Sequence, residues 1–418
     1  MILNTLKKAS LAALATGVLS FTASAGEVEV LHWWTSGGEA KSVAVLKQLL
    51  EKDGHTWKDF AVAGGGGESA MTVLKSRVVS GKPPTAAQIK GPSIQEWGDE
   101  GVVANLDSVA NAAGWDELLP KVVSDVMKYD GNYVAVPVNV HRVNWMWVNP
   151  EVFEKAGAKI PSTWDGFVEA AEKIKAAGFI PVAHGGQAWQ DSTTFESLAL
   201  AIGGSQFYND AFVKLDPKAL NSPTMVKVFE ALRTVKKYTD KDAPGRDWNL
   251  ATAMVIQGKA AMQFMGDWAK GEFTAAGKKP GTDYICMAFP GTRGKFTFNI
   301  DSFVMFDVGG GDAKKAQDAM ARTIMEPKFQ EIFNLNKGSI PARLNMPRDK
   351  FDICAHQSMD EFVGSSKTGD LVPSMAHGMS TFAAVQGAIY DTVTAFYNSD
   401  MSAQEAAQKL VSAVQSSM

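Results

Sequence analysis

Residues 129–149 read YDGNYVAVPVNVHRVNWMWVN, and this stretch constrains the fold more than any other. Asp130-Gly131 is a two-residue hairpin signal, and the residues after it alternate as a long strand does. What precedes it is of another kind. "VEVLHW" reads as a strand, and Ala40, Val43, Leu46, Leu49 and Leu50 recur after it at helical spacing. "DFAVAGGGGESAMTVLKSRVVSG" repeats the order of strand, glycine turn and helix, and "TAAQIKG" with "SIQEWGDEG" repeats it once more. Such alternation predicts an α/β sheet whose ligands bind beyond the carboxyl ends of its strands. A long strand that breaks the alternation is expected to carry the chain from one domain into another.

The same order resumes downstream. "PSTWDGFVEAAEKIKAAGF" has a Ser/Thr start, an acidic first turn and a stop at Gly178, the marks of a capped helix. "FIPVAHGG", "TFESLALAIGG", "SPTMVKVFEALRTVKKY" and "NLATAMVIQGKAAMQFMGDWAKG" extend a second α/β set. "KFTFNIDSFVMFDV" is another long alternating strand, followed by a helical stretch and the break "KGSIPARLN". The last helix opens with Ser402 and Glu405 in capping-box spacing. No repeat at solenoid periods and no low-complexity tract is present. The expectation is two discontinuous α/β lobes linked by three crossings: 26–138 plus 298–340, and 139–297 plus 341–418. A chain of roughly 390 residues without its leader exceeds one core, which agrees with two domains.

That leader is the N-terminal segment 1–25. Lys7 and Lys8 form a positive start, Leu11 to Phe21 a short apolar stretch, and Ala23-Ser24-Ala25 a small-residue cleavage site. Together they read as a secretory signal peptide. No cysteine follows the cleavage site and no other run reaches the about 18 apolar residues of a membrane span, so a free, exported, periplasmic protein is expected. The formal charge of −4 argues against a nucleic-acid partner. Cys286 and Cys354 are the two cysteines. An oxidising compartment permits a bridge, but spacing does not establish its geometry, so a disulfide and two buried thiols both stay open. The six histidines show no H-E-x-x-H or similar ligand spacing. The run Gly64 to Gly67 lacks the Gly-Lys-Ser/Thr of a phosphate loop and reads as a tight turn with a role in close ligand approach. No G-x-S-x-G elbow occurs. Neither a metal nor a cofactor is expected.

Several local patterns carry more specific information. They are "WWTSGGE" after the first strand, "VVSGKPPTAAQIKG" before and through the third, "YDGNYVAVPVNV", "VNPEVFEKAGAKIPSTWDGF", "QGKAAMQFMGDWA" at 257–269 and "NKGSIPARLN" at 336–345. In this order and spacing the chain resembles the extracellular solute-binding proteins of ABC importers, in the maltose-binding-protein-like group, over essentially the whole mature length. It departs at Thr85, where the family commonly has an acidic residue after the Pro pair. Its cleft candidates look most like the glucose-binding branch. The resemblance implies a two-lobed periplasmic-binding-protein fold with a multi-segment hinge. It further implies a monosaccharide ligand, glucose above all, bound between the lobes without catalysis, and a monomer that delivers it to an inner-membrane permease with a cytoplasmic ATPase. It places Trp33, Trp34, Glu39 and Lys90 on the first lobe, Trp268 opposite them, and Asn299, Asp301, Lys337 and His377 around the ring.

These residue types suit a pyranose, which presents apolar C–H faces and a rim of hydroxyls. Tryptophan supplies a large flat face with an N–H on its edge. Trp34 and Trp268, from different lobes, could sandwich the sugar, whereas Trp33 could serve only to hold its neighbour. Asp301 and Glu39 can accept from vicinal hydroxyls, and Lys90, Lys337 and His377 can donate. Asp301 is the strongest polar candidate, because in "FNIDSFVMF" it interrupts an apolar strand, where an unpaired charge is costly. Asn299 shares its face. Each has a plainer reading: Glu39 can favour its helix's N-terminal dipole, His377 can cap a helix, and the lysines can be solvated. A secreted glycoside hydrolase using Glu39 and Asp301 as its carboxylate pair is the alternative from another functional class. Two lysines and a histidine beside them favour ionised acids and so oppose it.

Overall fold

The computed structural model describes Gly26–Met418; the expected signal peptide, 1–25, lies outside the described residues. The strands Glu27–His32, Thr56–Ala61 and Ala86–Ile89 run parallel with Glu27–His32 in the middle, each preceding a helix. Ser302–Met305 adds antiparallel to Ala86–Ile89, and Ala135–Pro137 antiparallel to Ser302–Met305, closing a five-stranded sheet. Its centre reads as continuous apolar runs because helices cover both faces: Val28, Val30, Leu31, Ala86, Ala87 and Ile89 are all buried. A second sheet has the order Ile285–Ala288, Trp145–Val148, Ala260–Phe264, Ile180–Val182, with its own core around Trp147, Phe167, Phe195 and Phe229. Among the described residues no helix is long and apolar enough to cross a membrane.

Local signals act as expected. Asp130 and Gly131 adopt φ of 47° and 81° in the hairpin joining Lys128–Tyr129 to Asn132–Tyr133. Thr163 Oγ accepts from Gly166 N–H at 3.2 Å at the start of helix Trp164–Ala176, and Ser402 Oγ from Glu405 N–H at 3.2 Å before helix Ala403–Ser417.

The two long strands are not single strands. The first divides into Ala135–Pro137, His141–Arg142 and Trp145–Val148, and the second into Phe296–Asn299 and Ser302–Met305, the pieces serving different sheets. Phe296–Asn299 pairs with His141–Arg142 on one side and with Leu371–Pro373 on the other, forming a small third sheet that links the two large ones. The breaks have a physical cause. Asn139 Oδ1 accepts from Asp301 N–H at 3.2 Å, and Asn144 Oδ1 from Thr297 N–H at 3.0 Å. Side-chain amides thus satisfy backbone groups where the ladder stops, as buried polar groups require.

At this crossing the buried His141 ring joins two carboxylates. Its Nδ1 bonds Asp267, which follows Ala260–Phe264 of the second sheet, and its Nε2 bonds Asp301 at 2.9 Å, which precedes Ser302–Met305 of the first. Burial disfavours a charge on His141, but the two acids outweigh it and raise its pKa, so the ring is cationic. Burial likewise works against Asp301, yet His141, Lys337 and Lys90 hold its carboxyl well below the usual range. Gly338 ends helix Pro327–Lys337 at φ 93°, where a Cβ would lie 2.3 Å from Asp267 O, so only glycine lets this crossing pack against the triad.

A disulfide links Cys286, on the edge strand of the second sheet, to Cys354, with Cα atoms 6.0 Å apart. Cys354 opens helix Ile353–Thr368, whose Ala355 and Phe362 belong to the core of the first sheet. The bridge therefore fastens an element that touches both cores.

Two stability outcomes follow from these ties. The bridge spans 68 residues, and loop-closure entropy for a loop of that size is worth roughly 4 kcal/mol; C286S/C354S should lower the urea unfolding free energy by up to that amount. Asp301→Asn, which leaves His141 with one carboxylate, should lose about 3 kcal/mol at pH 7 in the same measurement. Because the Asp301 pKa is depressed on folding, its stabilisation is present above its ordinary value of 3.8 and fades as pH falls below it. The difference between wild type and D301N should accordingly shrink between pH 5 and pH 3.

Candidate functional site

The carboxyl ends of three neighbouring strands in the first sheet open onto one cavity of about 250 Å³. Trp33 and Trp34 follow Glu27–His32, Gly64 and Gly66 follow Thr56–Ala61, and Lys90 follows Ala86–Ile89. Such strand ends lack ladder partners and point side chains and free backbone groups into a crevice. The second sheet contributes in the same way, with Trp268 beyond Ala260–Phe264 and Trp189 at the start of helix Ala188–Phe212, which follows Ile180–Val182. The crossings supply Asn299, Asp301, His141 and Lys337, and His377 comes from the turn after Leu371–Pro373.

All nine residues singled out in the sequence, Trp33, Trp34, Glu39, Lys90, Trp268, Asn299, Asp301, Lys337 and His377, line this cavity. Their surroundings differ. Trp34 is only 2 % exposed and wedged against Phe303 and Phe333, with ring centroids 5.6 and 5.3 Å away. Trp33 is half-buried, and Lys90 Nζ lies 5.1 Å over its ring. Trp268 meets His377 and His141 edge-on at 4.8 and 5.2 Å, with Trp189 at 6.4 Å. Glu39 has two partners at once: Lys337 Nζ donates to Oε1 at 2.9 Å and Ser36 N–H to Oε2 at 3.3 Å, so it also anchors the start of helix Gly37–Lys52.

The electrostatics are those of buried, mutually compensating charges. Burial pushes the Lys90 ammonium below its ordinary pKa, Lys337 adds to this, and Asp301 and Glu39 oppose it. Burial also holds His377 well below its usual value, helped by Lys90 and His141, so its ring is neutral; Nε2 lies 3.1 Å from Thr193 Oγ1. Among the described residues Asp301 Oδ1 has only long contacts, 3.4 Å from Gln88 Nε2 and from Asn299 Nδ2. Asn299 Oδ1 is buried with no hydrogen-bond partner among the described residues. An orphan acceptor lining a cavity is the kind of group that a ligand hydroxyl completes. Among the described residues no group of His, Cys, Asp and Glu is placed to hold a metal ion.

The sequence reading missed several lining residues, chiefly His141, Trp189, Gln187 and the run Asp247 to Asn249. Two had legible signals. His141 interrupts an apolar run as Asp301 does, and Trp189 follows a strand closely, as Trp33 and Trp34 follow theirs. Gly66 adopts φ 60° and approaches Trp189 so closely that a Cβ there would lie 3.2 Å from the indole. The glycine run is thus a turn set against an aromatic wall of the cavity.

Residues 33–318 match the family model described as bacterial extracellular solute-binding protein. The chain is 50 % identical over 388 residues to a probable sugar-binding periplasmic protein of Brucella suis, covering 93 % of this chain and 92 % of that one. It is 27 % identical over 251 residues to the glucose-binding protein GlcS of Saccharolobus solfataricus, 56 % of this chain and 45 % of the other. A solved chitin oligosaccharide binding protein superposes with a TM-score of 0.81 at 19 % identity, over 94 % of this chain and 99 % of that one, which shows a shared fold. With two sheets opening onto one cavity and a matched segment running through both, the chain belongs to the bacterial extracellular solute-binding protein family.

Proposed function

We propose that this protein is the periplasmic sugar-binding component of an ABC importer, exported by its 1–25 leader. It takes one pyranose, glucose or a close epimer, into the cavity between its two lobes, 26–138 plus 298–340 and 139–297 plus 341–418. As a monomer it then presents the closed, loaded form to an inner-membrane permease. The observation that carries this reading is the make-up of the cavity: five tryptophans, Trp33, Trp34, Trp189, Trp248 and Trp268, around buried, paired charges and an amide oxygen without a hydrogen-bond partner among the described residues. Its volume of about 250 Å³ falls below the about 300–1,000 Å³ typical for drug-sized ligands and suits a single ring. The names of the Brucella relative and of GlcS point the same way.

The division of labour follows from chemistry. Trp34 and Trp268 supply aromatic walls from opposite lobes, and Trp33 and Trp189 close the sides. Asn299 Oδ1 and Asp301 Oδ1 accept from hydroxyls; Lys90 donates; Glu39 and Lys337 offer the lone pairs and protons their own pairing leaves over. Hydrogen bonds to charged groups contribute about 1.5–3 kcal/mol each, so a few suffice for a micromolar site, about −8 kcal/mol net. A hydrolase reading has less support. Asp301 is held ionised by His141, so it is not poised as the protonated acid that glycosidic cleavage needs, and Glu39 commits its two oxygens to Lys337 and Ser36 N–H. The relatives are solute-binding proteins rather than enzymes.

Titration calorimetry of the purified protein against glucose, galactose, mannose, xylose and short glucans should give micromolar or tighter binding of glucose and weaker binding of glucans; no heat with any monosaccharide overturns the proposal. Trp268→Ala should weaken the preferred sugar at least tenfold while circular dichroism stays native, and unchanged affinity would remove Trp268 from the site. Steady release of reducing ends from labelled oligosaccharides would favour the hydrolase instead.

A further inference from the structure

One face of helix Ala188–Phe212 grips the segment 374–377 three times. Trp189, Thr193 and Glu196 are spaced i, i+4, i+7 and so share that face. The Trp189 ring stands 5.8 Å from the His377 ring, and Thr193 Oγ1 lies 3.1 Å from His377 Nε2. Glu196 takes the rest of the segment. Ser374 Oγ donates to its Oε1 at 2.7 Å, and Ala376 N–H and Tyr208 O–H donate to its Oε2 at 3.0 and 2.7 Å. Tyr208 in turn accepts from Met375 N–H at 3.0 Å. Ser374 N–H donates to Phe298 O at 2.9 Å, in the strand that ends at Asn299. A fully buried carboxyl that no salt bridge reaches among the described residues is costly to keep, and here it holds the backbone that carries His377 into the cavity.

We propose that Glu196 is a positioning residue of the binding cavity: through Ser374 and Ala376 its carboxyl sets His377 against Trp268, and its ionisation state tunes how tightly ligand is held. The proposal rests on the sugar-binding reading above. Burial pushes the Glu196 carboxyl up to about 7, against the bonds from Ala376, Ser374 and Tyr208. Among the described residues the titratable groups that interact with it are Tyr208 on its own helix and Tyr390 on helix Ala383–Tyr397, and His377 lies on the gripped segment. Burial drives both tyrosines well above their ordinary range and His377 well below its own. Glu196 is therefore the member of this group that changes charge near neutrality. Ionised, it accepts from all three donors. Protonated, it must itself donate to a hydroxyl, and Tyr208 O–H can turn to Pro373 O, 2.9 Å away. Protonation thus redraws the clamp.

The test is calorimetry with glucose at pH 6, 7 and 8, alongside NMR of the His377 ring over the same range. In the wild type, affinity should rise about threefold from pH 6 to pH 8, and the His377 signals should move with a midpoint near that of Glu196. Glu196→Gln, whose amide offers one acceptor where the carboxylate offers two, should bind about tenfold more weakly and lose both pH responses. Its thermal stability should also lose the decline that a raised carboxyl causes as pH climbs from its ordinary value of 4.5 through about 7. Wild-type affinity and an unchanged pH slope in E196Q would overturn the proposal. Should E196Q not fold, Tyr208→Phe is decisive: removing a donor to the ionised form should shift the midpoint upward, and no shift overturns it. If the wild type binds no sugar, the functional reading fails by itself, and the His377 titration still decides whether Glu196 holds the segment.

Discussion

The imidazolium of His141, held between Asp267 and Asp301, is the contact on which the arrangement of the two sheets and their cavity rests. Each acid belongs to a segment attached to a different sheet, and the histidine lies in the short third sheet between them. A buried charge without partners costs several kcal/mol. The triad avoids that cost only when both crossings are in register, so it selects one relation between the crossings. The same pairing keeps Asp301 ionised at the floor of the cavity, where its second oxygen has only long contacts among the described residues.

Around that floor the molecule assembles apolar walls and polar groups from segments far apart in the chain. No single lobe holds the full set: the first sheet's strand ends carry Trp33, Trp34 and Lys90, and the second's carry Trp268 and Trp189. On the proposed reading, a ligand touching both halves would gain contacts that an open arrangement cannot offer. That difference in affinity between states is what a ligand-driven closure requires. The disulfide at helix Ile353–Thr368 lies away from this exchange and stiffens an element shared by both cores.

Much of the architecture was legible because it rests on short-range rules. The order of strand, glycine turn and helix, the Asp130-Gly131 hairpin and the Thr163 and Ser402 caps each follow from a few adjacent residues, and each lies where the pattern puts it. The nine cavity residues came instead from the resemblance to a known family; the residues themselves showed only that their types and places, such as strand ends and a charge interrupting an apolar run, were suitable. Trp34 shows the limit. Its place at a strand end was readable, but its seating against Phe303 and Phe333, with Trp33 left more open, depends on residues some 270 to 300 positions away.

By itself, then, the sequence determined the class of fold and the two-lobed organisation, since periodicity, turn chemistry and burial preference act over a few positions, and it pointed to the cavity residues through its likeness to a family. Only the tertiary structure decided where the two long strands break, that Cys286 and Cys354 meet, and that His141, Trp189 and Glu196 belong to the cavity and its support. All of these depend on long-range pairing. An alternating run cannot show that Asn139 and Asn144 will replace ladder bonds across more than 150 residues, nor can one cysteine show which backbone will bring the other within 6.0 Å.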